Sequence, residues 1–183
     1  ANAGAASKAD AAQAAAAPPK VKLSLNMSTI RGQKLPLDQQ FEIAAKAGYD
    51  AVEPWLGDIE AYKKSGKSLA DLKKRTADQG MTVESSIGFA PWIVDDPTQR
   101  AKGLEQAKRD MDLVAQLGGK RIAAPPAGAT DKADLNLLAA AERYRKLCEV
   151  GDSIGIVPQV EVWGFSKSLS RLGETTLVAL ESG

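Results

Sequence analysis

The sequence predicts an α/β fold, an incomplete (β/α)8 barrel of about five βα units. Three observations predict it. First, an apolar-striped helix ends at a glycine and runs directly into a short apolar strand four times, at Gly48, Gly80, Gly119 and Gly155. These ends recur about every 36 residues, the length of one strand–helix unit. Second, polar and aromatic residues stand at the ends of several strands and not at one switch point: Asn26, Glu53, Trp55, Glu84, Trp92, Glu161 and Trp163. Third, no strand is followed by a glycine-rich phosphate loop, which disfavours a doubly wound sheet, the other architecture that fits the alternation.

The elements follow in order. Residues 1–20, ANAGAASKADAAQAAAAPPK, are nearly all small, with little apolar bulk to bury. They read as a disordered tail or linker; the remnant of an export signal is the alternative, so the protein is either cytoplasmic or exported. The barrel portion spans 21–183. VKLSLNMSTI alternates apolar and polar residues and predicts a first strand near 21–27. A helix over Leu37–Ala47 buries Phe41, Ala44, Ala45 and Ala47, with Pro36 at its start. A second strand covers 50–55. The next helix begins at Ser68 with capping-box spacing to Asp71 and leads to a strand at 81–87. A long helix carrying Leu104, Ala107, Met111 and Val114 leads to a strand at 120–125. The helix carrying Leu137, Leu138, Tyr144 and Cys148 leads to a strand at 157–163. A last helix runs from about Ser168 to Leu180, and the chain ends at Glu181-Ser182-Gly183, where a sixth strand is expected. The expectation is therefore a piece of a longer protein.

Composition narrows the chemistry. Of 183 residues, 44% are hydrophobic and 26% charged, with a net charge of +1. That balance points away from a nucleic-acid partner, and no apolar run reaches the roughly 18 residues of a membrane span. One Cys excludes an internal disulfide, and the absence of His excludes His-based triads and His metal ligands within this stretch. Chemistry must come from carboxylates, Lys or Arg, hydroxyls or a bound ion.

Glu161, in PQVEVWGF, is the leading candidate. If Val160 and Val162 face the helices, Glu161 points into the barrel. A carboxylate there needs a partner cation, a hydrogen bond or a raised pKa, which makes it a metal ligand or a proton-transfer group; pairing with an interior Lys or Arg is the structural alternative. Glu53 and Trp55, in AVEPWL, stand two residues apart on one strand face. A carboxylate beside an indole is a pairing that suits sugars, hydroxyls to the one and C–H faces to the other; the alternative is a Glu53 that faces a base on a neighbouring strand, with Trp55 as loop packing. Trp92 stands in the loop after the third strand, where it lines a pocket or caps the barrel. Asn26 either donates to a substrate oxygen or organises a turn with Ser28 and Thr29. Glu84 reads as structural, and Cys148 as core.

The helix–Gly–strand rhythm, AAKAGYDAVEPW and above all PQVEVWGFSKSLSRLGE resemble the sugar isomerase/epimerase-type proteins of the xylose-isomerase-like TIM-barrel superfamily, over about residues 21–183. The resemblance implies a divalent metal cation (Mn, Mg, Co or Zn) at the C-terminal ends of the strands. It implies that Glu161 is both metal ligand and acid/base; Asn26, Glu53, Trp55, Trp92 and Trp163, from their places at strand ends, are the residues expected to bind substrate. It further implies proton transfer beside a carbonyl through an enediolate, on a small-molecule sugar. The remaining ligands and a second catalytic Glu would come from later strands. A lyase or hydrolase on oxidised sugars, a sugar-binding barrel without metal, and a DNA-repair endonuclease of the same superfamily are the competing readings. Homo-oligomerisation is left open.

Overall fold

The computed structural model describes residues 21–183, so the reading of the Ala-rich tail lies outside the described residues. Five short strands form: β1 Ser24–Asn26, β2 Ala51–Glu53, β3 Thr82–Val83, β4 Arg121–Ala124 and β5 Val157–Val160. Six α-helices accompany them: α1 Leu37–Lys46, α2 Leu56–Lys64, α3 Leu69–Asp78, α4 Pro97–Gln116, α5 Leu137–Asp152 and α6 Leu172–Glu181. A 3-10 helix, Met27–Gln33, follows β1 directly.

Strand order separates the two architectures. β1, β2 and β3 pair in parallel in that order, and β4 pairs with β5. Ile87, just past β3, bridges in parallel to both Trp55 and Ala123 and joins the two groups. The order 1-2-3-4-5 never reverses, as a curling barrel requires and a doubly wound sheet forbids. Successive helices also pack on one another, α3 on α4, α4 on α5 and α5 on α6, as one outer layer.

The pleat sorts side chains between that layer and the concave interior. Leu25, Val52 and Val83 are register partners, all buried and all in the helix-side core with Ile59, Leu72 and Val114. Their neighbours Asn26 and Glu53 therefore project to the other side. On β5, Pro158 is buried and Val160 packs against the core, so Glu161 points inward with Gln159.

Several expectations need correction. The strands are shorter than read, β1 and β2 ending on their own polar residues Asn26 and Glu53. Asn26 already caps the 3-10 helix through Ser28 N–H, and Pro54, Pro125 and Pro126 have no N–H to give a ladder. The left-handed residue ending α4 is Gly118 (φ 84°), not Gly119. Gly119 is needed for a different reason: a Cβ there would stand 2.6 Å from Val114 Cγ1. α2 was not anticipated, although Leu56, Ile59 and Tyr62 form its buried stripe. Ala47 and Leu138 are exposed, beyond the ends of the stripes they extend. α6 begins later than read, at Leu172, with Glu174 accepting from the Ser170 and Arg171 N–H groups. Ser68 does cap α3, accepting from Asp71 N–H at 3.1 Å. Among the described residues, no helix is long and apolar enough to cross a membrane.

Candidate active site

The C-terminal ends of β1, β2 and β5 bring five of the six sequence candidates together: Asn26, Glu53, Trp55, Glu161 and Trp163. Asn26 is the hub. Its Nδ2 donates to Glu53 Oε2 at 2.7 Å, and its Oδ1 accepts from Ser28 N–H at 2.9 Å and from the Trp55 indole at 3.4 Å. The turn expected at Asn26 forms, and the same side chain also holds Glu53. The amide orientation set by the turn is the one that presents Nδ2 to the carboxylate.

Glu161 stands across the concave face. Its Oε2 is shut off from solvent and has no hydrogen-bond partner. Burial pushes its carboxyl above the usual carboxylate range; the Trp163 indole opposes that shift and the charge of Glu53 adds to it. The interior cation that would have made it structural is absent, since no Lys or Arg among the described residues forms an ion pair with it.

Aromatic rings make the wall between these groups. Trp55 and Phe89 lie 5.2 Å apart, Phe89 and Trp163 6.0 Å, and Trp163 and Phe165 4.9 Å, all tilted. The Arg31 guanidinium covers one face of Trp55, 3.7 Å from its centroid. Asn26, Trp55, Ile87, Phe89, Glu161, Trp163 and Phe165 line a cleft of about 320 Å³. Clefts nearly as large exist on the outer helices, for example one of about 290 Å³ beside Glu60, Lys63 and Arg109. Their charges sit on solvated helix faces, so size does not distinguish the strand-end cleft. Its chemistry does: convergent polar groups, a raised carboxyl and an aromatic wall.

Trp92 is the site candidate that the structure removes. It is 1% exposed, donates its indole N–H to the Pro125 carbonyl at 2.9 Å and packs on Tyr144 at 5.5 Å. It belongs to the helix-side core because the chain turns back after β3 before entering α4. Glu84 is structural as read, held by Thr82 and by Arg121 at 3.2 Å. Cys148 is half-buried with its thiol pushed up by burial, as a core cysteine should be. Phe89, Phe165 and Arg31 were not singled out from sequence. The two phenylalanines follow strand ends, a signal that was available; Arg31 is brought in by the 3-10 turn, which left none.

A metal ion can be tested against these residues. The orphaned Glu161 oxygen suits one ligand position on a hard cation. Among the described residues, no group of three His, Cys, Asp or Glu converges, so they supply a ligand and not a shell.

Comparison with known proteins gives the fold its relatives. The family model described as xylose isomerase-like TIM barrel matches residues 41–176. Fructoselysine 3-epimerase of Escherichia coli O157:H7 is 26% identical over 146 residues, 73% of this chain and 52% of its own length. The chain thus spans about half the length of the curated relatives it matches. A xylose isomerase-like TIM barrel/4-hydroxyphenylpyruvate dioxygenase fusion protein superposes with a TM-score of 0.77 at 19% identity, over 90% of this chain and 25% of the other. The IolI protein with a bound zinc atom superposes with a TM-score of 0.75 at 18% identity, over 88% and 59%. At these identities the solved structures bear on the fold.

Proposed function

From the premise that this chain belongs to the xylose isomerase-like TIM barrel family, we propose that it carries part of the active site of a metal-dependent isomerase or epimerase acting on a sugar or keto-sugar. The observation that carries the reading is Glu161: a carboxylate at the end of β5, one oxygen buried and unpartnered, its proton affinity raised, facing an aromatic cleft. Its likeness to an epimerase that acts on fructoselysine supports the substrate class.

Each residue has work suited to its setting. Glu161 as carboxylate removes the proton on carbon next to the sugar carbonyl, and as carboxylic acid returns one. Glu53, held by Asn26, accepts hydrogen bonds from sugar hydroxyls through its remaining lone pairs. Trp163 and Phe89 cover the apolar C–H faces and exclude water. Trp55 contributes less stacking than its pairing with Glu53 suggests, because Arg31 occupies one of its faces. A divalent cation, when bound, polarises the carbonyl and acidifies that carbon; Glu161 is the ligand this chain offers it. Inversion needs a second proton carrier on the opposite face, and Glu53, already bound to Asn26, is fitted to binding.

The test is Glu161→Gln, assayed for ketose epimerisation in deuterated water and for bound divalent metal by mass spectrometry. Turnover and solvent deuterium incorporation are expected to fall by about 10²–10⁴, with reduced metal content. Unchanged turnover and metal content would end this reading.

A further inference from the structure

Resting on the sugar-site reading above, we infer that Ser166, Ser168 and Leu169 are positioning residues: they clasp the loop after β5 onto the loop after β4 and thereby hold Trp163 in the cleft. Residues 161–171 carry three cleft residues, Glu161, Trp163 and Phe165, yet form no helix or strand. Such a segment keeps a side chain in place only where other contacts fix its backbone. Ser166, Ser168 and Leu169 are the buried residues of this loop, and none of the three lines the cleft.

The two hydroxyls reach main-chain carbonyls of the neighbouring loop. Ser168 Oγ donates to the Ala129 carbonyl at 2.7 Å and Ser166 Oγ to the Thr130 carbonyl at 3.2 Å; the Lys167 N–H donates to the same Thr130 carbonyl at 2.7 Å. The Ser168 N–H closes the clasp on Ser166 Oγ at 3.1 Å. The receiving loop is itself fixed, since the Trp92 indole holds the Pro125 carbonyl and Ala129 is packed in the core. A buried hydroxyl that loses its acceptor is costly, so these bonds favour one placement of the β5–α6 loop.

Leu169 carries that placement to Trp163. Its side chain is fully buried in the core, and its backbone is left-handed (φ 47°), a conformation a bulky residue adopts only where its surroundings impose it. Its carbonyl accepts from the Trp163 N–H at 3.1 Å, and the Trp163 carbonyl accepts from the Ser166 N–H at 2.9 Å. Both main-chain polar groups of Trp163 are therefore held by clasp residues. The indole they place stands on the cleft wall between Phe89, 6.0 Å away, and Phe165, 4.9 Å away.

The experiment is fluorine NMR of the protein labelled with 5-fluorotryptophan, its resonances assigned through Trp55→Phe and Trp163→Phe, together with titration by D-fructose. Ser168→Ala is expected to shift or broaden the Trp163 resonance, leave that of Trp92 in place and raise the fructose dissociation constant about three- to tenfold. Ser166→Ala should do the same to a smaller extent, and it carries the test if Ser168→Ala does not fold. Thr76→Ala removes an equally buried hydroxyl–carbonyl bond of 2.8 Å in α3, and should leave the Trp163 resonance and fructose affinity as in wild type. A Trp163 resonance unchanged in both serine variants overturns the inference and leaves the sugar site standing. Movement of all three tryptophans together, or of Trp163 in Thr76→Ala, also overturns it, because a lost hydroxyl then loosens the whole fold. So does a displaced Trp163 with unchanged fructose affinity, since the residue being held then does not serve the site. A wild-type protein that binds no fructose overturns the sugar reading itself, and the Trp163 resonance alone then decides whether the clasp holds that residue.

Discussion

Two acids among the described residues are held above the usual carboxylate range by desolvation, and they sit on opposite sides of the sheet. Glu161 lies on the concave face, at the end of a strand, with an unpartnered oxygen facing an aromatic cleft. Asp110 lies in the helix layer, 4% exposed on α4, with its carboxyl pushed up to about 6 by burial; Gln106 opposes that shift and the charge of Glu60 adds to it. Desolvation is the dominant cause in both. The neighbourhood differs: the first opens on space for a ligand, the second on other side chains. A perturbed acid marks chemistry only where something can reach it.

The largest expected effect breaks the symmetry directly. Glu161→Gln should remove turnover, as above, while unfolding free energy stays within about 1 kcal/mol of wild type, because a half-buried carboxylate with one unpartnered oxygen is exchanged for a neutral amide of the same shape. A large stability loss with turnover intact would make Glu161 a structural acid. Next comes the pair of tryptophans, one on each side. Trp92→Ala should destabilise by about 3–5 kcal/mol, as expected for a 1% exposed indole in the core. Trp163→Ala should cost about 1 kcal/mol and instead weaken sugar binding. Urea unfolding and a binding titration on both variants separate the two roles, and equal stability losses would erase the distinction.

Asp110 supplies the third test, with a pH sign. Its folded pKa of about 6 exceeds the ordinary value of 3.8. The folded state therefore binds the extra proton between these values, and stability falls as pH rises through about 4–6. The contribution is fully present below pH 4 and lost by pH 7. Asp110→Asn should accordingly raise stability at pH 7 by about 1–3 kcal/mol and change little at pH 4. A variant equally altered at both pH values would mean that the amide acts by packing. The smallest effect is expected at Glu84, on the concave side like Glu161 but half-exposed and paired with Arg121. Glu84→Gln should shift stability by no more than about 1 kcal/mol and leave turnover unchanged. Lost turnover there would extend the active site to β3.

Much of this was legible in the residues. The Gly-ended helices, the alternating strands and the inward orientation of Glu161 beside Val160 rest on local periodicity, which the chain carries in each segment; Val162, read as a second helix-facing residue, lies past the end of β5 and is 38% exposed. So does the pairing of Ser68 with Asp71. What escaped has a common form. Trp92 and Trp163 both follow strands and both read as pocket residues. One turned into the core and the other toward the cleft, because the path of a loop is set by what it packs against. Arg31 lies 24 residues before Trp55, and nothing in either segment announces the contact.

The sequence by itself determined the α/β alternation, the five strands, the left-handed glycines at Gly48, Gly80 and Gly155 and the placement of acids and aromatics at strand ends, since each follows from propensities and spacings within a dozen residues. Tertiary structure decided which of those residues share a site. Parallel strands stacked in the order 1-2-3-4-5 bring Asn26, Glu53 and Glu161 to one concave face, across 135 positions of chain from first to last. Charge, burial and orphaned hydrogen bonds are properties of that assembly. A carboxylate acquires a raised proton affinity only when the rest of the chain has removed its water.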